Sequence, residues 1–174
     1  MTRKEPSIYN YSIESIKTKL SSLVSLGYTF EEALSMTANC PAIYSYSFEM
    51  ITNKTKFLMN FGYTELEVKK MLKILPQLCG LSYENIMEKL SFYDSIGMHD
   101  LAIINPRELM QSVALSYARY SFFKDRGIII TISDYKDLFL GKVKFEKKYK
   151  VNTDELLKTY NYADYMNGDT AKTR

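Results

Sequence analysis

The chain has no tryptophan, one histidine, two cysteines and four prolines in 174 residues. With His99 alone there is no histidine pair to hold zinc, and Cys40 and Cys79 lie too far apart for a Cys-x-x-Cys motif. Gly-rich phosphate loops, Walker-type sequences and Gly-x-Ser-x-Gly are also missing. These absences argue against an enzyme and against any metal or cofactor, and they leave His99 a surface or helix-start residue. The two cysteines read as small buried apolar side chains rather than a bridge. No apolar run approaches the ~20 residues that cross a bilayer, so a membrane partner is not expected. The N-terminus, M-T-R-K-E-P-S, lacks the apolar core of a secretory signal and carries an early acid, which makes a cytoplasmic location the expectation.

What the sequence has is order in its scarce residues. The four prolines, Pro6, Pro41, Pro76 and Pro106, each stand six residues before a serine that opens the same skeleton. In Ser47–Gly62 that skeleton reads Ser-x3-Ile-x2-Lys-x2-Phe-x4-Gly, and it recurs from Ser12, Ser82 and Ser112 to Gly27, Gly97 and Gly127. The period is 35 residues between the first three prolines and 30 before the last, five residues being missing between Gly97 and Pro106. Scarce residues in fixed columns define a repeat protein.

Local signals divide the repeat into three. Thr29 with Glu32, and Thr64 with Glu67, are capping boxes that open a helix two residues after a glycine, which itself closes the preceding helix. Proline stops that second helix and leads a turn short enough for 3₁₀ geometry, after which serine caps the long helix. The expected fold is all-α: a right- or left-handed α-solenoid of about three such units over residues 1–127. A C-terminal helical extension over 128–166 caps it, and 167–174 form a polar, disordered tail. Within the extension, Ile128–Ile132 reads as a buried extended or helical connector. Ser133-Asp134 should cap a helix to Leu140, Lys142–Lys150 should form a basic amphipathic turn or two docked through Phe145 and Tyr149, and Thr153-Asp154-Glu155 should open the last helix.

Thr-x-x-Glu, then Pro-x-Ile/Leu, then Ser-x3-Ile-x2-Lys-x2-Phe-Leu-x3-Gly-Tyr resembles the repeat of the mitochondrial transcription termination factor (mTERF) family, from about Pro6 to Gly127. The chain is similar to a short, bacterial-like member. The resemblance implies three-helix units around a basic groove that binds duplex DNA or RNA, with a role in transcription regulation or termination as one expectation.

The cations carry the functional question. Net charge is only +3, but residues 119–150 hold nine basic and four acidic side chains. Lys19, Lys54, Lys89 and Arg119 recur at the skeleton's basic position, in the middle of an apolar stripe. One reading has their stems packed on the core and their heads reaching water or capping the carbonyls at a neighbouring helix end. The other lines the heads up as a ladder for phosphates. A second candidate set is Lys124, Arg126, Lys142, Lys144, Lys147 and Lys148, with Lys150, which is either a phosphate-binding patch or a solvated face. The function expected is non-catalytic binding of double-stranded nucleic acid. The alternative is a protein-interaction scaffold that uses the concave face for a partner.

Overall fold

The computed structural model describes residues 11–166. Pro6 and the tail expected over 167–174 lie outside the described residues. Among those described there is no strand, and the chain forms two compact units, Met1–Tyr83 and Glu84–Arg174.

In the first unit, α1 (Ile13–Ser25) is followed by α2 (Phe30–Asn39), a 3₁₀ turn (Pro41–Ser45), α3 (Phe48–Phe61), α4 (Glu65–Ile74) and a second 3₁₀ turn (Pro76–Gly80). The punctuation follows the sequence. Ser12 and Ser47 accept from the backbone N–H three residues on, and Thr29 and Thr64 form complete capping boxes with Glu32 and Glu67. Each side-chain cap is worth about 1 kcal/mol. The four column glycines, Gly27, Gly62, Gly97 and Gly127, are the glycines with positive φ among the described residues, as a helix exit through left-handed space requires. Each described proline takes the first position of its 3₁₀ turn, where it has no helical hydrogen bond to donate. Leu23, Ala33, Met36, Ile43, Ile51, Leu58, Val68, Met71 and Leu78 fill the core, with Cys40 and Cys79 buried as free thiols.

The second unit begins with α5 (Tyr83–Ser95), whose first residue belongs to the first unit, and continues with α6 (Leu101–Ile104), the 3₁₀ turn Pro106–Met110 and α7 (Val113–Asp125). The five missing residues come out of the second helix, which leaves α6 a single turn. His99 stands in the α5–α6 turn with Nδ1 2.6 Å from the Asp94 carboxylate.

Beyond Gly127 three expectations are corrected. Ile128–Ile132 is extended but not buried as a whole: Ile130 faces the core while Ile129 is 83% exposed. The helix expected from Ser133 to Leu140 is only the 3₁₀ turn Tyr135–Asp137, because Asp134 offers no side-chain cap and the Thr131 hydroxyl holds it instead. Asn152, not Thr153, caps α9 (Thr153–Thr159), and Tyr160-Asn161 separates it from the short α10 (Tyr162–Met166).

The basic helix α8 (Lys142–Tyr149) docks as its i, i+4 aromatics suggest. Phe145 is fully buried against Phe122 and Phe123, and Tyr149 stacks edge-on to Phe123 at 4.9 Å. Burial of Phe145 alone contributes about 1.5–3 kcal/mol. Tyr162 and Tyr165 of α10 pack on Tyr117 of α7 at 5.4 and 4.7 Å.

Candidate nucleic-acid interface

The skeleton's cations have one geometry. Lys19, Lys54, Lys89 and Arg119 are all buried, Arg119 to 1% exposure. Each sits mid-way along a long helix and reaches a backbone carbonyl at the next 3₁₀ turn in the chain. Lys19 donates to the Tyr46 carbonyl, Lys54 to Leu81 at 2.6 Å, Lys89 to Leu109 at 2.6 Å and Arg119 to Leu138 at 2.7 Å. A 3₁₀ turn leaves its last carbonyls without intrahelical donors, and an ammonium supplies one. Tyr46, Leu81 and Leu138 are the residues that close their turns. In the shortened repeat the acceptor shifts back to Leu109, inside its turn, and the Asn85 side chain adds an oxygen to Lys89 at 2.8 Å.

Aromatic faces complete the burial. The Lys54 ammonium lies 3.9 Å from the Tyr83 ring centroid, and the Arg119 guanidinium 4.2 Å from that of Phe145. Desolvation pushes the pKa of Lys19, Lys89 and Arg119 below its ordinary value. This is the carbonyl-capping arrangement. Head groups held this way do not form a solvent-facing row, so the ladder expected of Lys19, Lys54, Lys89 and Arg119 has no counterpart in this geometry.

The other cations are at the surface of the second unit. Lys124 is exposed at the end of α7, on the rim of a cleft of about 220 Å³ that includes Phe92, Tyr117, Tyr120 and Tyr165. Arg126 folds over the Phe122 ring at 3.7 Å and donates weakly to the Phe122 carbonyl. On α8, Lys142 pairs with Asp154 at 2.9 Å and Lys148 with Asp137 at 2.8 Å, and these carboxylates hold both ammonium groups above the ordinary lysine pKa. Lys144, Lys147 and Lys150 are exposed, with no ion pair recorded among the described residues.

The pairing of Lys142 and Lys148 was not legible beforehand. Their acids lie 12 and 11 residues away, across turns, so no helical spacing announces them. Lys136, also exposed, does not stand out in the sequence as part of this set, because it lies between Asp134 and Asp137, away from the run of lysines on α8.

Among the described residues, no group of three His, Cys, Asp or Glu side chains is placed to hold a metal ion, and no helix is long and apolar enough to cross a membrane. What the geometry defines is an all-helical repeat protein with an exposed basic segment at its C-terminal side. The chain belongs to the mTERF family, which matches residues 1–133. No curated protein matches it.

Proposed function

We propose that this protein is a nucleic-acid-binding helical-repeat module that holds a duplex, DNA or RNA, by its phosphates, and that the contacts come from the C-terminal cations. Family membership supports nucleic acid as the ligand, since mTERF proteins are generally non-enzymatic nucleic-acid binders. The observation that carries the choice of residues is the division among the cations. Those of the skeleton are spent on carbonyls, whereas Lys124, Arg126, Lys144, Lys147 and Lys150 are exposed in one unit. Lys142 and Lys148 join them readily, because an exposed ion pair is worth only ~0–1 kcal/mol and a phosphate can take the carboxylate's place. A role in transcription regulation or termination would follow from duplex binding.

The test is an anisotropy titration of labelled duplex DNA, duplex RNA and single strands across a range of salt. Duplex binding should weaken with salt, each phosphate contact adding about 0.9 to the slope of the log–log plot. The triple variant Lys144→Gln, Lys147→Gln, Lys150→Gln should bind more weakly with a shallower slope. Duplex affinity equal for variant and wild type at every salt, or none at low salt, overturns the reading.

A further inference from the structure

Grooves at equivalent repeat positions differ in whether they are filled. On α3, Thr52, Thr55, Lys56 and Met59 line a groove of about 210 Å³ whose facing wall is Leu26 and Tyr28, from the turn that closes α1. On α7 the same four skeleton positions are Tyr117, Tyr120, Ser121 and Lys124, and they line a cleft whose facing wall includes Ile96, the counterpart of Leu26. Each of these grooves thus receives the glycine turn of the long helix before it.

The first groove has the same floor but, among the described residues, no such wall. Lys17, Leu20, Ser21 and Val24 of α1 line it beside Phe30, in an open space of about 630 Å³. Val24 is 42% and Phe30 54% exposed. Where Phe30 stands, the next repeat has Glu65. An outward face of a helical repeat is ordinarily polar, and the first described unit presents an apolar one at this groove.

The last glycine turn is the missing half. Gly127 has φ +67° against +86° for Gly27. Ile128 N–H donates to the Phe123 carbonyl at 2.9 Å, just as Tyr28 N–H donates to Leu23 at 3.3 Å. Tyr28 is 5% exposed in its groove, whereas Ile128 is 42% and Ile129 83% exposed. Arg126 replaces Leu26 but lies back over Phe122, so the isoleucines form the tip.

We propose that the Gly127–Ile129 turn of one copy seats in the Leu20–Val24–Phe30 groove of a second copy, head to tail, continuing between chains the turn-in-groove contact that α3 makes with the turn before it. The interface is heterologous, and a single turn in a single groove is smaller than the standard interface, so association is weak and rises with concentration.

Sedimentation velocity on nucleic-acid-free protein tests this. Wild type should show a mean mass that climbs with concentration. Phe30→Glu breaks the groove and Ile129→Glu breaks the turn, and each alone should weaken association by roughly tenfold or more. Both residues are exposed, and unchanged thermal melts show that the variants fold. Mixed, the two variants should regain one contact, the turn of Phe30→Glu in the groove of Ile129→Glu, with the mass capped at a dimer. A wild type that stays monomeric overturns the proposal. So does an Ile129→Glu variant that associates like wild type, which would give the groove to another surface of the second copy, or a mixture that stays monomeric while wild type associates.

Discussion

Lys54 and Lys147 are the same residue in the same kind of element and differ in everything that decides what a cation can do. Lys54 is 3% exposed, bonded to the Leu81 carbonyl at 2.6 Å and roofed by Tyr83. Lys147 stands on the outer face of α8, exposed. A buried ammonium has already lost its water, and its partner carbonyl depends on it. An exposed one keeps its hydration until a phosphate displaces it. Basic charge in this chain therefore divides into a structural set, spaced by the repeat, and an available set, collected after Gly127 or just before it.

Breaking the first set should have the largest effect. Lys54→Ala and Arg119→Ala each remove a packed stem and orphan a buried carbonyl, and each should lower unfolding free energy by about 2–4 kcal/mol. Lys54→Met keeps the stem and should cost less, about 1–2 kcal/mol, mostly for the unpaired Leu81 carbonyl. Denaturant midpoints measure both. Losses under about 0.5 kcal/mol would place Lys54 with the surface cations. The glycines offer the same contrast one step down. Gly62 has φ +125°, and Gly62→Ala should cost about 1–2 kcal/mol. Gly141 has φ −55° and open space where a Cβ would go, so Gly141→Ala should be close to neutral.

Much of this was legible in the sequence because its cause is local. A capping box, a glycine exit and a proline start each act within about four residues, so Thr29 with Glu32, Gly62 and Pro76 announced their structures directly. The position of Lys54 in an apolar stripe was legible too, but not the direction of its head, since its acceptor lies 27 residues away on another element. Past Gly127 the repeat no longer constrains the reading. There Ile128–Ile132 looked buried on hydropathy alone, and exposure was decided by the absence of a following groove to cover it.

Cys79 reports on the surroundings of the buried cations. Burial raises its thiol to about 12, and the nearby Lys54 and Lys19 charges pull against that rise without overcoming it. A folded-state pKa above the unfolded value near 9 stabilises the fold below that pH, and the contribution is lost as pH rises from about 9 toward 12. By pH 10 the loss should reach roughly 1 kcal/mol, at about 1.4 kcal/mol per unit of pH within the window. Cys79→Ala should flatten this part of the stability–pH curve. An equally steep decline in the variant would assign it to other groups, such as Tyr28, whose hydroxyl burial also holds in its protonated form.

The smallest stability effect belongs to the second set, and it separates the two most sharply. Lys144, Lys147 and Lys150 are exposed and make no ion pair among the described residues, so replacing all three by Gln should leave the denaturant midpoint within about 0.5 kcal/mol of wild type. The same variant should lose duplex affinity and salt slope. Lys54→Met should do the opposite, unfolding earlier while binding, when folded, with an unchanged slope. If the triple variant instead destabilises as much as Lys54→Met, the lysines of α8 anchor that helix to the fold, and the basic segment is a structural cap rather than a surface for phosphate.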